Sequence, residues 1–231
     1  FFASGCREQP AVDADWYARR DLGFDLDAAR ERFLDIELRI NTSLGTTSTL
    51  SQLLKRTCEQ YRLTLDLLEA RGTEGFGPLA AQLYGTTDDV FHAGGPTVAD
   101  LAGQFRDALS WVSELPIDER DEKAIDGETA VVLLQERLDA SMGPGMCDVV
   151  LDDGIVADAA AGSSYIKLRA DAMFSERQLE QLESHEGWVH VGTSANGLAQ
   201  PVCTFLGKAP PRVNVTQEGL ASLTEILSLT S

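Results

Sequence analysis

His185-Glu186-Gly187-Trp188-Val189-His190, HEGWVH in one-letter code, is the stretch on which the reading of this chain turns. Two histidines four residues apart stack on one face of a helix and can share a zinc ion, with the glutamate between them as a base. Here the second histidine comes one residue late. On a regular helix five residues amount to roughly 140° of net rotation, too far for two ligands of one ion. One extra residue bulged into a wider turn removes the mismatch, and such bulges are frequent at functional sites. Gly187 is expected to ease that deformation. The alternative is two helix histidines hydrogen-bonded to a neighbouring sheet, and spacing alone leaves both readings open.

The surrounding residues define the helix. Ser175 followed by Gln178 is a capping box, which predicts a helix starting at Glu176. Leu179, Leu182, Glu186, Val189 and Thr193 then recur at spacings of three and four as the buried stripe. Glu186 lies within that stripe, where a carboxylate is costly unless something pairs with it. A divalent cation near His185 is one such partner.

A catalytic zinc takes three protein ligands and keeps one position open. The chain has three histidines, and His92, in VFHAGGP, reads as a loop or core residue. The third ligand is therefore expected to be a carboxylate. VNVTQEGLASLTEIL offers Glu218, in a first turn capped by Thr216, and Glu225 seven residues on. Both lie on one helix face, with Leu220, Leu223 and Leu227 on another. Taken alone, the two glutamates also fit a capping residue and a surface residue.

Upstream, helices are expected over Asp25–Ile40, Ser48–Ala70, with Leu53, Leu54, Tyr61, Leu65 and Leu68 inward, and within VADLAGQFRDALSWV. PIDERDEKAID reads as a solvated connection and Gly127–Ala140 as a further helix. CDVVLDDGIVADAA holds two short apolar runs around Asp153-Gly154, a hairpin signal. SYIKLRA predicts another strand, with Ile166 and Leu168 on one face and Tyr165, Lys167 and Arg169 on the other. The fold class is thus α+β: one mainly helical domain over 1–231, helical through 125, then a small antiparallel sheet over 126–231 ahead of two metal-bearing helices.

Composition narrows the function. With 37 acidic against 19 basic residues the net charge is −18, which argues against nucleic acid and anionic lipid as partners. No apolar run is long enough to cross a membrane. Four scattered cysteines without C-x-x-C fit free thiols in a reducing cytoplasm. The opening FFASGC is like the end of a lipoprotein signal but lacks a basic start and a full apolar segment.

HEGWVHVGTSANGLAQP followed by TQEGLASLTE resembles the QEGLA-motif family, described as flavohaemoglobin expression-modulating proteins. That family is similar to the tubulin tyrosine carboxypeptidases, which carry H-E-x-x-x-H and a downstream E-G-L-A. ARGTEGFGPLAAQLYG and the region up to MFSERQLEQLESHE extend the resemblance over most of the chain. It implies a gluzincin-like core with one zinc per chain, held by His185, His190 and Glu218. Glu186 becomes the general base, and Glu225 a hydrogen-bond partner of a ligand histidine. The implied reaction is hydrolysis of a C-terminal peptide bond, with a peptide or protein C-terminus as substrate. Lys208 and Arg212 are candidates for gripping its carboxylate, and the strand Tyr165–Arg169 for aligning it by strand addition. The chain ends thirteen residues after Glu218, so a C-terminal portion of the family domain is expected to be missing. A non-catalytic, metal-containing regulator is the competing reading, and a retained Glu186 argues against it.

Overall fold

The computed structural model describes residues 18–19, 21–108, 110 and 119–228. FFASGC, the end of VADLAGQFRDALSWV and the start of PIDERDEKAID fall outside them. The chain divides into two compact units, residues 1–104 with 210–212, and residues 105–209 with 213–231. Among the described residues no helix is long and apolar enough to cross a membrane.

The first unit is helical. Helix α1 (Leu26–Leu44) begins at Asp25, whose side chain accepts the Ala28 N–H, and α2 (Thr49–Glu69) begins at Ser48, which accepts the Ser51 N–H. The two run antiparallel. Arg30 meets Asp66 and Glu69, Phe33 stacks on Tyr61 at 5.5 Å, and Asn41 meets Lys55. Cys58, Leu65 and Leu67 are buried, whereas Leu53, expected inward, is exposed. Helix α3 (Phe76–Tyr84) packs on α2 and buries Leu83, and α4 spans Val98–Ala108.

In the second unit, β1 (Ile125–Asp126) leads into α5 (Gly127–Met142), capped by Asp126 on the Thr129 N–H at 2.8 Å. Strands β2 (Asp148–Asp152), β3 (Ala159–Ala161) and β4 (Tyr165–Arg169) form a sheet of order β2-β4-β3. β5 (Met173–Phe174) pairs antiparallel with β1. The α+β class stands, with two corrections. β2 and β3 do not form a hairpin: β2 is parallel to β4, and β3 is antiparallel to it. The Asp153-Gly154 turn exists, with the Gly154 N–H on Asp152 Oδ1, but a turn signal fixes where a chain reverses and not which strand it meets. Burial decides that, because Ile166 and Leu168 on β4 are fully enclosed and hold the centre. The second correction follows. A central β4 has both edges paired, so it cannot take up a substrate strand.

The core lies between α5, this sheet and the next helix, with Leu134, Leu138, Ile166, Leu168, Phe174, Leu179 and Val191 nearly inaccessible. Gln135 of α5 covers the outer edge of β2, accepting the Val149 N–H and donating to the Cys147 carbonyl. The outer edge of β3 pairs with no strand among the described residues.

Candidate metal centre

Helix α6 (Glu176–Leu182) starts where the capping box placed it. The Gln178 N–H donates to Ser175 Oγ and the Ser175 N–H to Gln178 Oε1. From Glu183 to Val191 the backbone is π-helical, and Gly192–Leu198 returns to α-helix as α7. Bonds from i to i+5 widen each turn, so residues five apart come together. His185 and His190 accordingly share a face, with ring centroids 5.0 Å apart. The bulge required by H-E-x-x-x-H is therefore present, spread over nine residues.

Gly187 has a different role from the one expected. It is buried, and a Cβ built on it would lie 2.4 Å from Leu138 Cδ2. The residue brings the widened helix against α5, and close packing is its requirement.

Helix α8 (Asn214–Ser228) crosses the π-helical segment. It begins before Thr216, so Thr216 lies inside the helix and does not cap it. Glu218 and Glu225 nevertheless face the histidines together. The fully buried Ala221 lies between them in sequence, and its small side chain permits close helix approach. Leu220, Leu223 and Leu227 form the opposite, exposed face.

The histidine ring nitrogens are sorted by their partners. His185 Nδ1 is 2.5 Å from Glu225 Oε1, and His190 Nδ1 is 3.3 Å from Gln217 Oε1. Both oxygens can accept a hydrogen bond from Nδ1, so in each ring Nε2 is the nitrogen left to meet a further partner. Both Nε2 atoms face Glu218: His185 Nε2 is 3.5 Å from Oε2, and His190 Nε2 is 3.6 Å from Oε1. Both distances are long for a hydrogen bond. They match two ligands of one ion, because atoms 2.0–2.2 Å from a tetrahedral zinc stand about 3.4 Å apart. The donor set of two imidazoles and one carboxylate thus fits zinc.

Glu186 borders the same space. One atom each from His185, Glu186 and His190 lie within 4.8 Å of one another. The Ala161 N–H of β3 donates to Glu186, fixing the carboxylate beside the imidazoles. Burial pushes its carboxyl above the ordinary value; His185, His190 and the Ala161 amide pull it back, and Glu218 adds to the rise. A cavity of about 210 Å³ opens alongside, lined by Phe174, Leu182, His185, Glu186, Asp158 and Glu225, with no lysine or arginine in its wall.

The candidate carboxylate-gripping residues separate. Lys208 belongs to the second unit and is exposed, whereas Arg212 belongs to the first. There its backbone N–H bonds Gln60 and its guanidinium the Gln82 carbonyl. His92 sits in an exposed loop of the first unit. Two participants were missed from sequence. Gln217 stands next to Glu218, where its side chain can reach the second histidine, so position in the motif could have found it. Ala161 acts through its backbone and carries no sequence signal.

The family model for microtubule-associated tyrosine carboxypeptidases matches residues 1–231. No curated protein matches the chain, and no solved structure does. The match covers H-E-x-x-x-H, Q-E-G-L-A and the helical region before them, in agreement with the resemblance drawn from those motifs. The chain belongs to the microtubule-associated tyrosine carboxypeptidase family.

Proposed function

We propose that the second unit is a zinc-dependent carboxypeptidase centre, with His185, His190 and Glu218 as the ligands and Glu186 as the general base. The observation that carries this is the pair of Nε2 atoms facing the two oxygens of Glu218 at 3.5 and 3.6 Å. Zinc held there supplies Lewis acidity and lowers the pKa of a water toward neutrality. The residues of the chain do the rest. Glu186 accepts the proton of the attacking water and passes it to the leaving amine. Glu225 and Gln217 hold the imidazoles in orientation and tautomer.

The substrate is a peptide or protein C-terminus, in keeping with the family. An extended chain is aligned on β3, not on β4. Residues 158 and 162 bond toward β4, so Ala159 and Ala161 turn their backbone groups outward. Ala161 N–H is engaged by Glu186, which leaves Ala159 N–H, Ala159 C=O and Ala161 C=O on the open edge beside the base. Lys208 is the carboxylate-gripping candidate in the unit that holds the histidines. A net charge of −18 disfavours strongly acidic protein tails as substrates. The free Cys58, Cys147 and Cys203 support a reducing, cytoplasmic setting.

A non-catalytic metal site would give Glu186 no task, yet that carboxylate is held against the cluster at the cost of burial. The test is zinc content by elemental mass spectrometry, read beside cleavage of peptides from their C-terminus. About one zinc per chain is expected, retained in Glu186→Gln and lost in Glu218→Ala, with cleavage abolished in both. A chain that takes up no zinc when it is supplied would sink the proposal. Full cleavage by Glu186→Gln would remove the base assignment.

A further inference from the structure

The first unit contains a second, larger cavity, about 570 Å³, with walls from α1, α2, α3 and the turn Pro211–Val213. No residue of the histidine cluster lines it. Four arginines do: Arg30, Arg56, Arg62 and Arg212. The whole chain has 19 basic residues against 37 acidic ones, so four guanidinium groups around one cavity run against the balance of the molecule.

The four are not equivalent. Arg30 is engaged by Asp27, Asp66 and Glu69, and Arg62 holds Glu37 at 3.0 Å. The Arg56 side chain has no hydrogen bond or ion pair among the described residues. Arg212 is pinned. Its backbone N–H donates to Gln60 Oε1 at 3.1 Å, and one guanidinium N–H donates to the Gln82 carbonyl at 3.1 Å. The remaining donors of that guanidinium have no partner among the described residues. Of the two carboxylates in the wall, Asp66 is already held by Arg30, and Glu59 alone opposes.

We propose that this cavity binds a small organic carboxylate, gripped by Arg56 and Arg212. Its volume lies within the roughly 300–1,000 Å³ of small-molecule sites. A guanidinium presents parallel donors that match the two oxygens of a carboxylate. Leu34 and Leu63 add apolar wall, which suits the carbon skeleton of an organic acid better than an inorganic anion. Phosphate shares the oxyanion chemistry and is the ligand to distinguish.

Succinate and inorganic phosphate are titrated calorimetrically, at low salt, into the whole chain. Saturable binding of succinate is expected, tighter than that of phosphate and at least tenfold weaker in Arg56→Gln and in Arg212→Gln. Both residues are exposed; Arg212→Gln gives up the bond to the Gln82 carbonyl but keeps the backbone bond to Gln60, and thermal unfolding verifies that the fold is retained. Arg39→Gln, at an exposed arginine of α1 outside the cavity, removes the same charge and is expected to bind succinate as before. Equal weakening in all three variants would reduce the effect to general electrostatics and overturn the site. Binding of neither anion would overturn it too, and phosphate bound in place of succinate would overturn the organic-carboxylate assignment.

Discussion

Replacing Gly187 with alanine sets two physical effects of opposite sign against each other. By helix propensity alone the change stabilises, because glycine is about 1 kcal/mol worse than alanine in a helix interior. By packing it destabilises. The new methyl group would stand 2.4 Å from Leu138 Cδ2, with Leu138 Cγ at 3.7 Å and Met142 Sδ at 3.8 Å. That is about 1 Å short of the ~3.5 Å at which two carbon atoms come to rest. Leu138 is 1% exposed and belongs to the core of the second unit, so moving it disturbs its buried neighbours. Overfilling a packed core costs about 1–3 kcal/mol, which outweighs the propensity gain.

The expected result for Gly187→Ala is a net loss of about 1–2 kcal/mol, taking the upper part of the packing cost, about 2–3 kcal/mol, against the propensity gain of about 1 kcal/mol. In a chain of this length that lowers the unfolding midpoint by about 2–8 °C. The site should register the same displacement, since Gly187 adjoins Glu186 and lies between the two histidines; zinc retention against a chelator should weaken with stability. The control is the same substitution in a Leu138→Ala background, where the methyl group has room and should become neutral or stabilising. A single variant that unfolds at higher temperature than the parent would refute the packing argument and return Gly187 to a purely conformational role.

Four further outcomes are expected. Gly197→Ala should cost about 3 kcal/mol or more, the upper end for overpacking, because its Cβ would meet the backbone of Leu206 and Gly207 at 2.2–2.5 Å and backbone cannot rotate away; denaturant unfolding measures it. Glu225→Ala should leave His185 Nδ1 without its acceptor and weaken zinc binding about 10–100-fold, as read by chelator competition. Cys147, whose thiol burial pushes up to about 11, should resist iodoacetamide at pH 8 in the folded chain, while the less buried Cys203 is labelled faster; peptide mass mapping separates them. Asp126 is held below the ordinary aspartate value by the Thr129 amide, so its capping contribution is complete above pH 3.8 and is lost as pH falls through the lower folded value; Asp126→Asn should flatten acid unfolding in that range.

What the sequence made legible is local chemistry with a fixed spacing. The capping box at Ser175 and Gln178, the helix starting at Glu176, the alternation of β4 and the shared face of Glu218 and Glu225 all depend on residues within two turns of each other. The extra residue between the histidines pointed to a widened helix for the same reason. What was hidden is pairing between distant segments. Nothing in DDG says that β4 will enter between the two strands beside that turn, because the choice rests on the relative burial of Val149, the alanines of β3, and Ile166 with Leu168. The partners of Arg212 were similarly illegible: two hydrogen bonds tie it to α2 and α3, segments more than a hundred residues away in sequence. Ala161 acts through a backbone N–H, which every residue but proline possesses.

The π-helical segment and α8 form one device. A regular α-helix with histidines four apart presents its ligands without strain in the backbone. With the histidines five apart, nine residues adopt wider turns, and such turns are rare. Something outside the segment has to hold it open. On one side Leu138 fills the space left by the missing side chain of Gly187; on the other, α8 sends Gln217 to His190, Glu225 to His185 and Glu218 to both. Each histidine thereby meets an α8 side chain at Nδ1 and presents Nε2 to the same third side chain, Glu218. The widened turns and the placement of the two histidines have a common origin. The Q-E-G-L-A helix supplies both the carboxylate proposed as the last ligand and the acceptors that orient the two histidines, which gives a physical reason for the two motifs to occur together.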